Sequence, residues 1–275
     1  MSENSGKKVY RFGKQYLHLS ETDSTNEVVK RLLKDGVTVE ANKTGGRLIE
    51  GEPMEGTVVY ADYQAEGKGR RGRTWNGQKD MSLMYSLLLK PDIVSDNLPM
   101  ITLVAALGVC RTIRDMYKID AEIKWPNDIV YDGKKIAGIL TEMEPSGGSN
   151  YVIVGVGINV FQTEFPEDIR KKATSLAQQS AETYGLEELL YDILHRTEDY
   201  YDIFLETGNM SGLKDVYDSY LVGKDTEIKV LDPKEPYKGT ALGINDEGEL
   251  LVRDSAGTVH KVYAGEISIG GIYGE

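Results

Sequence analysis

Apolar positions along this chain follow two periods, one near 3.6 residues and one near 2, and the switches between them outline its elements. Val28, Val29, Leu32 and Leu33 stand at helical spacing behind Asp23-Ser24-Thr25-Asn26-Glu27, and Gly36 follows. A capping Ser, Thr or Asp, an acid in the first turn and a closing glycine predict a helix there. Residues 57–63 are β-branched and aromatic and read as a strand, as do residues 82–89. A Gly- and Arg-rich loop joins them, from Gln64 to about Lys79. Residues 98–117 predict a long helix, and residues 121–125 a short strand that Pro126 stops. Asp132-Gly133, between 129–131 and 135–143, signals a hairpin. The unbroken apolar run 151–156 suits a central strand covered on both faces. Residues 186–205 and 213–220 read as helices.

Beyond Val222 the texture changes. Short strands are expected at 226–231, 237–244, 249–253, 259–262 and 266–269, with turns at Asn245-Asp246-Glu247-Gly248 and Ser255-Ala256-Gly257. Such spacing suggests a small β-barrel. The expected boundary lies near residues 221–224, dividing the chain into 1–222 and 223–275, with residues 1–15 a short polar lead-in. No internal repeat or low-complexity segment is seen.

Composition narrows the function classes. The 275 residues allow one large domain, or one large and one small. Hydrophobic residues make up 40% and charged residues 28%, ordinary for a globular chain. Lys plus Arg number 32 and Asp plus Glu 44, a formal charge of −12. That balance argues against a protein that coats nucleic acid or binds anionic membranes, and makes any local basic cluster more informative. The single Cys110 sits in an apolar run, so it reads as a buried thiol, and no internal disulfide or Cys-rich metal site can form. Three histidines make a His-based metal site improbable. No signal-peptide core and no apolar run near the roughly 20 residues of a membrane span are read, so the expected compartment is the cytoplasm.

Three stretches carry chemistry. Gly67-Lys68-Gly69-Arg70-Arg71-Gly72-Arg73-Thr74-Trp75 gathers four cations and three glycines in an acidic protein. Glycine amides and guanidinium groups suit phosphate oxygens. A solvated basic loop and a nucleic-acid patch are the other readings, the second opposed by the acidic remainder and the lack of aromatics besides Trp75. Next, Lys124-Trp125-Pro126-Asn127-Asp128 leads to Lys135, which opens an apolar strand containing Gly138. Lys135 there can offset charge developing on a carboxylate or phosphate, or can be a snorkelling edge lysine. Gly138 suggests close approach of a ligand to backbone. Asn127-Asp128 also fits a plain turn. Third, Gly155-Val156-Gly157-Ile158-Asn159 lacks dinucleotide-loop spacing and fits a strand end presenting the Asn159 amide. No P-loop, nucleophile elbow or His-centred triad occurs, so positioning and electrostatics rather than covalent catalysis are expected.

Taken in order, Asp23-Ser24-Thr25-Asn26, Gln64 with Gly67 to Trp75, Lys124 to Asp128, Lys135-x-Ala137-Gly138-Ile139-Leu140 and Gly155-x-Gly157-Ile158-Asn159 closely resemble biotin protein ligases. The resemblance runs from about residue 16 to the C-terminus. It implies an α+β fold: a mixed β-sheet flanked by helices, of the class II synthetase type, followed by a small SH3-like barrel. It implies that biotin and ATP, with Mg²⁺, give biotinoyl-5′-AMP, which then acylates a lysine of a biotin carboxyl carrier protein. Lys135 and Arg70 become the catalytic candidates. Ser24, Thr25, Asn26, Gln64, Lys68, Gly69, Arg70, Lys135 and Gly138 match biotin-binding positions. Arg70, Arg71, Trp75, Asn127, Asp128 and Asn159 would serve the nucleotide, with Mg²⁺ held through phosphates and Asp128 the candidate protein ligand.

Two departures stand out. The lead-in before Asp23 is too short for the helix-turn-helix domain of some relatives, so no DNA binding is expected. No tryptophan follows Asn159 in the region of Ala173 and Thr174, where some relatives stack one on adenine. Membrane association is not expected, and a homodimer is, by analogy. The competing readings are a lipoate–protein ligase and a non-catalytic biotin-binding regulator.

Overall fold

The computed structural model describes residues 8–40, 47–231, 235–263, 265 and 267–273. The first seven residues of the expected lead-in, and Glu266 of the expected last strand, lie outside them. In chain order the elements are β1 (Tyr16–Leu19), α1 (Thr25–Asp35), β2 (Val37–Glu40), β3 (Arg47–Glu50), β4 (Val58–Ala61), β5 (Ser82–Leu89), α2 (Ile101–Tyr117), β6 (Glu122–Lys124) and β7 (Asp128–Tyr131). There follow β8 (Lys134–Ser146), β9 (Ser149–Asn159), α3 (Leu176–Gln179), α4 (Leu186–Thr207) and α5 (Lys214–Tyr220). The last five strands are β10 (Glu227–Val230), β11 (Tyr237–Ile244), β12 (Leu250–Arg253), β13 (Val259–Val262) and β14 (Ile267–Ile269).

Seven strands form one sheet in the order β1-β4-β5-β9-β8-β7-β6, parallel only between β1 and β4. Every residue of β5 is buried, because helices cover both faces of the sheet. On one face α1 packs Val28, Val29, Leu32 and Leu33 against Val59, Leu88 and Ile153. On the other, α2 and α4 build the larger core with Leu83, Leu87, Val154 and Val156. Two tight turns drive the hairpins. Asp132 and Gly133 (φ 48° and 72°) join β7 to β8, and Gly147 and Gly148 (φ 56° and 79°) join β8 to β9. Both pairs have the positive φ values that match the strand twist. The second turn is tighter than expected, so β8 and β9 run longer than 135–143 and 151–156.

α1 begins and ends where predicted, with Gly36 at φ 62° closing it onto the Leu32 carbonyl. The Ser24 side chain, however, caps nothing. The Asp23 carboxylate instead accepts from the Ser24 amide at 2.7 Å and pairs with Arg31. A second correction concerns α2. With the turn before it, Ser95–Tyr117 makes 23 residues long and apolar enough to cross a bilayer, contrary to the reading of the sequence. It is a core helix, with Leu103, Val104, Leu107 and Ile113 buried under the sheet. Cys110 is buried there as expected, and burial pushes its thiol up to about 12.

The expected barrel is a five-stranded antiparallel sheet in the order β13-β12-β11-β10-β14. It is joined to the large sheet by Val222 N to Ile123 O (3.0 Å), Trp125 Nε1 to Gly248 O (3.1 Å) and Tyr273 N to Gly133 O (2.7 Å).

Candidate functional site

A cleft of about 480 Å³, its open mouth included, lies on the α1 side of the large sheet. Its floor is the backbone of Gly138, Gly155 and Gly157 on β8 and β9, with Ile139, Leu140 and Val156 beside them. The floor is bare because other protein groups occupy the space that side chains would take. A Cβ on Gly155 would lie 2.4 Å from Asn26 Oδ1, and one on Gly157 2.3 Å from the Trp75 ring. A Cβ on Gly138 would meet Lys135 Nζ at 2.8 Å. The close approach at Gly138 is therefore made by Lys135, a neighbour that the sequence reading did not identify.

One end of the cleft is polar and neutral. Gln64 Oε1 accepts from the Thr25 amide (2.7 Å) and the Thr25 hydroxyl (3.1 Å). Ser86 Oγ lies 2.7 Å from Thr25 Oγ1 and 2.5 Å from Asn26 Oδ1. Asn26 Nδ2 donates to Glu142 Oε2 at 2.7 Å. Hydroxyls and amides held this firmly favour a compact, uncharged, hydrogen-bonding group.

The other end is cationic. Lys135 Nζ is 2.6 Å from Asp128 Oδ1, and Arg70 donates to Asn127 Oδ1 at 2.7 Å. Asn127 is fixed in turn, donating to the Ile139 carbonyl at 3.0 Å and accepting the Ile139 amide through its own carbonyl at 2.9 Å. A second cleft starts at these residues. Gly69, Arg70, Trp75, Asn127 and Lys135 line both, and the second continues past Arg73, Lys124 and Asp128 to Leu231, Ile267 and Tyr273. An elongated molecule with a neutral polar head and an anionic tail fits the first cleft, and its tail meets a phosphate-bearing group where the two join.

The Gly/Arg segment forms a small hairpin over this junction. Gly69 N bonds to Arg73 O (2.7 Å) and Trp75 N to Gly67 O (2.9 Å). Arg71 and Gly72 make its turn, with φ 56° and 72°. Trp75 packs against the glycine floor at Gly157, with Lys135 Nζ 5.8 Å from its ring centre. Lys68 Nζ reaches Glu27 on α1 at 2.7 Å. Lys30 pairs with both Glu27 (2.9 Å) and Glu142 (2.7 Å), which links the hairpin to the polar end. Hydrogen bonds from Lys68 and then Lys30 hold the Glu27 carboxyl below its usual range.

Ser24, Thr25, Asn26, Gln64, Lys68, Gly69, Arg70, Trp75, Asn127, Lys135 and Gly138 all line the first cleft. Asp128 lines the second. Arg71 is exposed at the hairpin tip and lines neither of these clefts. Asn159 is buried at the end of β9, donating to Thr174 O at 3.1 Å and accepting from Gln162 at 3.4 Å. Its amide is thus turned to the protein rather than offered at a strand end. Thr174 N bonds to Lys135 O, and Lys135 N to Lys172 O, so Asn159 braces the segment beside Lys135. Ser86, Glu142 and Tyr273 were not singled out from the sequence. Ser86 and Glu142 are polar residues on the cleft face of apolar strands, which is the signal that marks them; nothing local marks Tyr273.

The profile of the Biotin/lipoate A/B protein ligase family matches residues 23–159, and that of the biotin protein ligase C terminal domain matches residues 225–270. The chain is 36% identical over 272 residues to the bifunctional ligase/repressor BirA of Bacillus subtilis, spanning 96% of this chain and 83% of that one. It is 32% identical over 134 residues to the biotin--[acetyl-CoA-carboxylase] ligase of Mycobacterium tuberculosis, spanning 47% and 48% of the two. Among solved structures it is similar to the biotin protein ligase from Aquifex aeolicus in complex with biotin and ATP, with a TM-score of 0.75, 31% identity and coverage of 93% and 98%.

Proposed function

The chain belongs to the biotin protein ligases, and from that premise we propose how its own residues divide the work. The enzyme condenses biotin with ATP to biotinoyl-5′-AMP and pyrophosphate, then passes the biotinoyl group to a lysine of a carrier domain. The match to the biotin ligase C-terminal domain favours this over the lipoate alternative.

In our reading the ring head of biotin takes the neutral end, against Thr25, Asn26 and Gln64, with Ser24 beside them and Ser86 behind. Its aliphatic tail runs beside Trp75, past Ile139 and Leu140. The carboxylate then reaches Lys135 and Arg70, and the phosphates of ATP lie in the second cleft with Asn127 and Asp128. A carboxylate oxygen attacks the α-phosphorus, and the bond to the departing pyrophosphate breaks. Lys135 and Arg70 offset the charge that builds on the α-phosphate oxygens. The hairpin from Lys68 to Trp75 keeps water from the mixed anhydride. In the second step the carrier lysine, as free amine, attacks the acyl carbon; AMP leaves and the amine gives up a proton. Arg71 and Asn159 have no place in this assignment, because the first is exposed at the tip and the second is turned inward.

Magnesium belongs with the triphosphate. Among the described residues no three His, Cys, Asp or Glu side chains gather to hold an ion. One carboxylate, Asp128, beside the phosphate cleft fits an ion bound mainly through phosphate oxygens. When bound, it neutralises charge on those oxygens.

Three further expectations draw support. The two profile matches, ending at 159 and starting at 225, suit a division at 222/223. Residues 140–146 of β8 pair with β9 but have no strand on their other side among the described residues, which favours edge-to-edge dimerisation. An ATP-dependent ligase with one buried cysteine suits the cytoplasm.

The observation that carries the reading is the convergence of Gln64, Arg70, Trp75 and Lys135 on one cleft. Lys135→Ala tests it. Pyrophosphate release on mixing with biotin and MgATP should fall by about 10²–10³-fold, with the thermal transition unchanged. Release at the wild-type rate would remove Lys135 from the mechanism.

A further inference from the structure

The C-terminal residues return to the reaction site. Ile272 N bonds to Ile269 O at 3.0 Å, turning the chain after β14, and Tyr273 N bonds to Gly133 O at 2.7 Å. The contact is so close that a Cβ on Gly133 would lie 2.3 Å from the Gly271 carbonyl oxygen. Ile272 is buried and seals the apolar side of this joint. Tyr273 faces the polar side. Its ring centre is 4.4 Å from Lys124 Nζ, and its hydroxyl donates to Asp128 Oδ2 at 2.6 Å. The other oxygen of the same carboxylate, Oδ1, is the one that holds Lys135 Nζ at 2.6 Å. Asp128 is mostly buried, its side chain 15% exposed, so water replaces neither partner readily.

We propose that Tyr273 is a positioning residue for adenylate formation, acting through Asp128 on Lys135. A carboxylate turns easily about its last torsion, whose preferences are broad and two-fold. With Oδ2 tied to the phenol, that rotation is lost and only Oδ1 faces Lys135. The ammonium is then held at the meeting point of the two clefts. The hydrogen bond also draws charge from the carboxylate, which loosens its grip on Lys135 when substrate anions arrive. The C-terminal domain thereby helps to aim the lysine although it is remote in sequence. This inference rests on the role given to Lys135 above.

Tyr273→Phe in the full-length chain tests it, since the variant keeps the ring over Lys124 and the backbone bond to Gly133. Bonds to charged groups are among the stronger ones, so the saturated rate of pyrophosphate release should fall about 10-fold. KM for biotin and for ATP should stay within about two-fold, and the thermal transition should fall by no more than a few degrees. In an Asp128→Asn background the same change should have no further effect, because the phenol acts only through that carboxylate. A wild-type rate in Tyr273→Phe overturns the proposal. So do losses that multiply in the double variant, or a rate that falls only in step with stability. Were Lys135→Ala to keep its activity, the underlying reading would fail; a defect in Lys135→Ala with none in Tyr273→Phe sinks this inference alone.

Discussion

Gly157→Ala is the sharpest probe of how the cleft is built. The added methyl would lie 2.3 Å from Trp75 Cε2 and 2.7 Å from Nε1. Carbon atoms in contact sit roughly 3.5 Å apart or more, so the indole must retreat by about 1.2 Å (3.5 − 2.3). It has little room to do so. Trp75 N is bonded to Gly67 O at 2.9 Å, and Gly67 is so near the Trp75 carbonyl that its own Cβ would lie 2.3 Å away. The strain therefore passes to the hairpin that carries Lys68, Gly69 and Arg70. Overpacking of this kind costs about 1–3 kcal/mol of stability. A displacement near 1 Å at a catalytic group costs about 10²-fold in rate. Pyrophosphate release, calorimetric biotin binding and thermal unfolding should thus all respond, activity most. Gly185→Ala is the control, since nothing among the described residues lies within 4 Å of its Cβ and its φ is −66°. Trp75→Phe, a smaller ring, should restore part of the loss in Gly157→Ala. Wild-type kcat/KM in Gly157→Ala would show that the hairpin does not rest on the glycine floor as described.

Three other outcomes are expected. Glu198, 1% exposed, accepts the Arg11 and Phe12 amides and an Arg11 guanidinium N–H, so Glu198→Ala leaves the buried Phe12 amide and the partly buried Arg11 amide without that acceptor. Chemical denaturation should register a loss of about 1–3 kcal/mol, and a loss under ~0.5 kcal/mol would contradict the burial argument. Glu27→Gln removes the carboxylate partner of Lys68; because the pair is partly exposed, escape of biotinoyl-AMP should rise no more than about five-fold. Escape from the wild type should rise with salt while that of the variant stays flat, and equal salt slopes would show that the ion pair does not hold the hairpin. Hydrogen bonds from Arg31, opposed by partial burial and helped by the Ser24 amide, hold the Asp23 carboxyl well below its ordinary 3.8. Its contribution to stability is therefore present above pH 3.8 and is lost as pH falls below it. Urea midpoints at pH 7 and pH 3 should differ less in Asp23→Asn than in the wild type.

Much of the fold was legible because its signals are local. Asp132-Gly133, the Gly36 cap and the mostly apolar 82–89 each state their own geometry within a few residues. The cleft residues were legible as a set of unusual types in a fixed order. What stayed hidden depends on partners far along the chain. Short β1 has no periodicity of its own and is set by parallel pairing with β4. The ribbon β2–β3 has only four residues in each strand, and Leu48 and Ile49 on it are exposed. Ser24 stands at a helix start, yet Asp23 takes over the local bonding and leaves its hydroxyl to the cleft. Gly155 and Gly157 are glycines for lack of space, imposed by Asn26 and Trp75 more than 80 residues earlier. Asn159 was read as an open strand end, but the segment 173–178 covers it.

The peptide segment 172–174 runs alongside Lys135 like an extra rail. Amide 135 is tied to Lys172, carbonyl 135 to Thr174, and the Thr174 carbonyl to Asn159, while Val130 pairs from the opposite strand. The main chain under the lysine is thereby clamped from two directions. Its ammonium can wander only by turning its own four-carbon arm. An approaching anion therefore needs to recruit a single side chain, with no rearrangement of the scaffold beneath it.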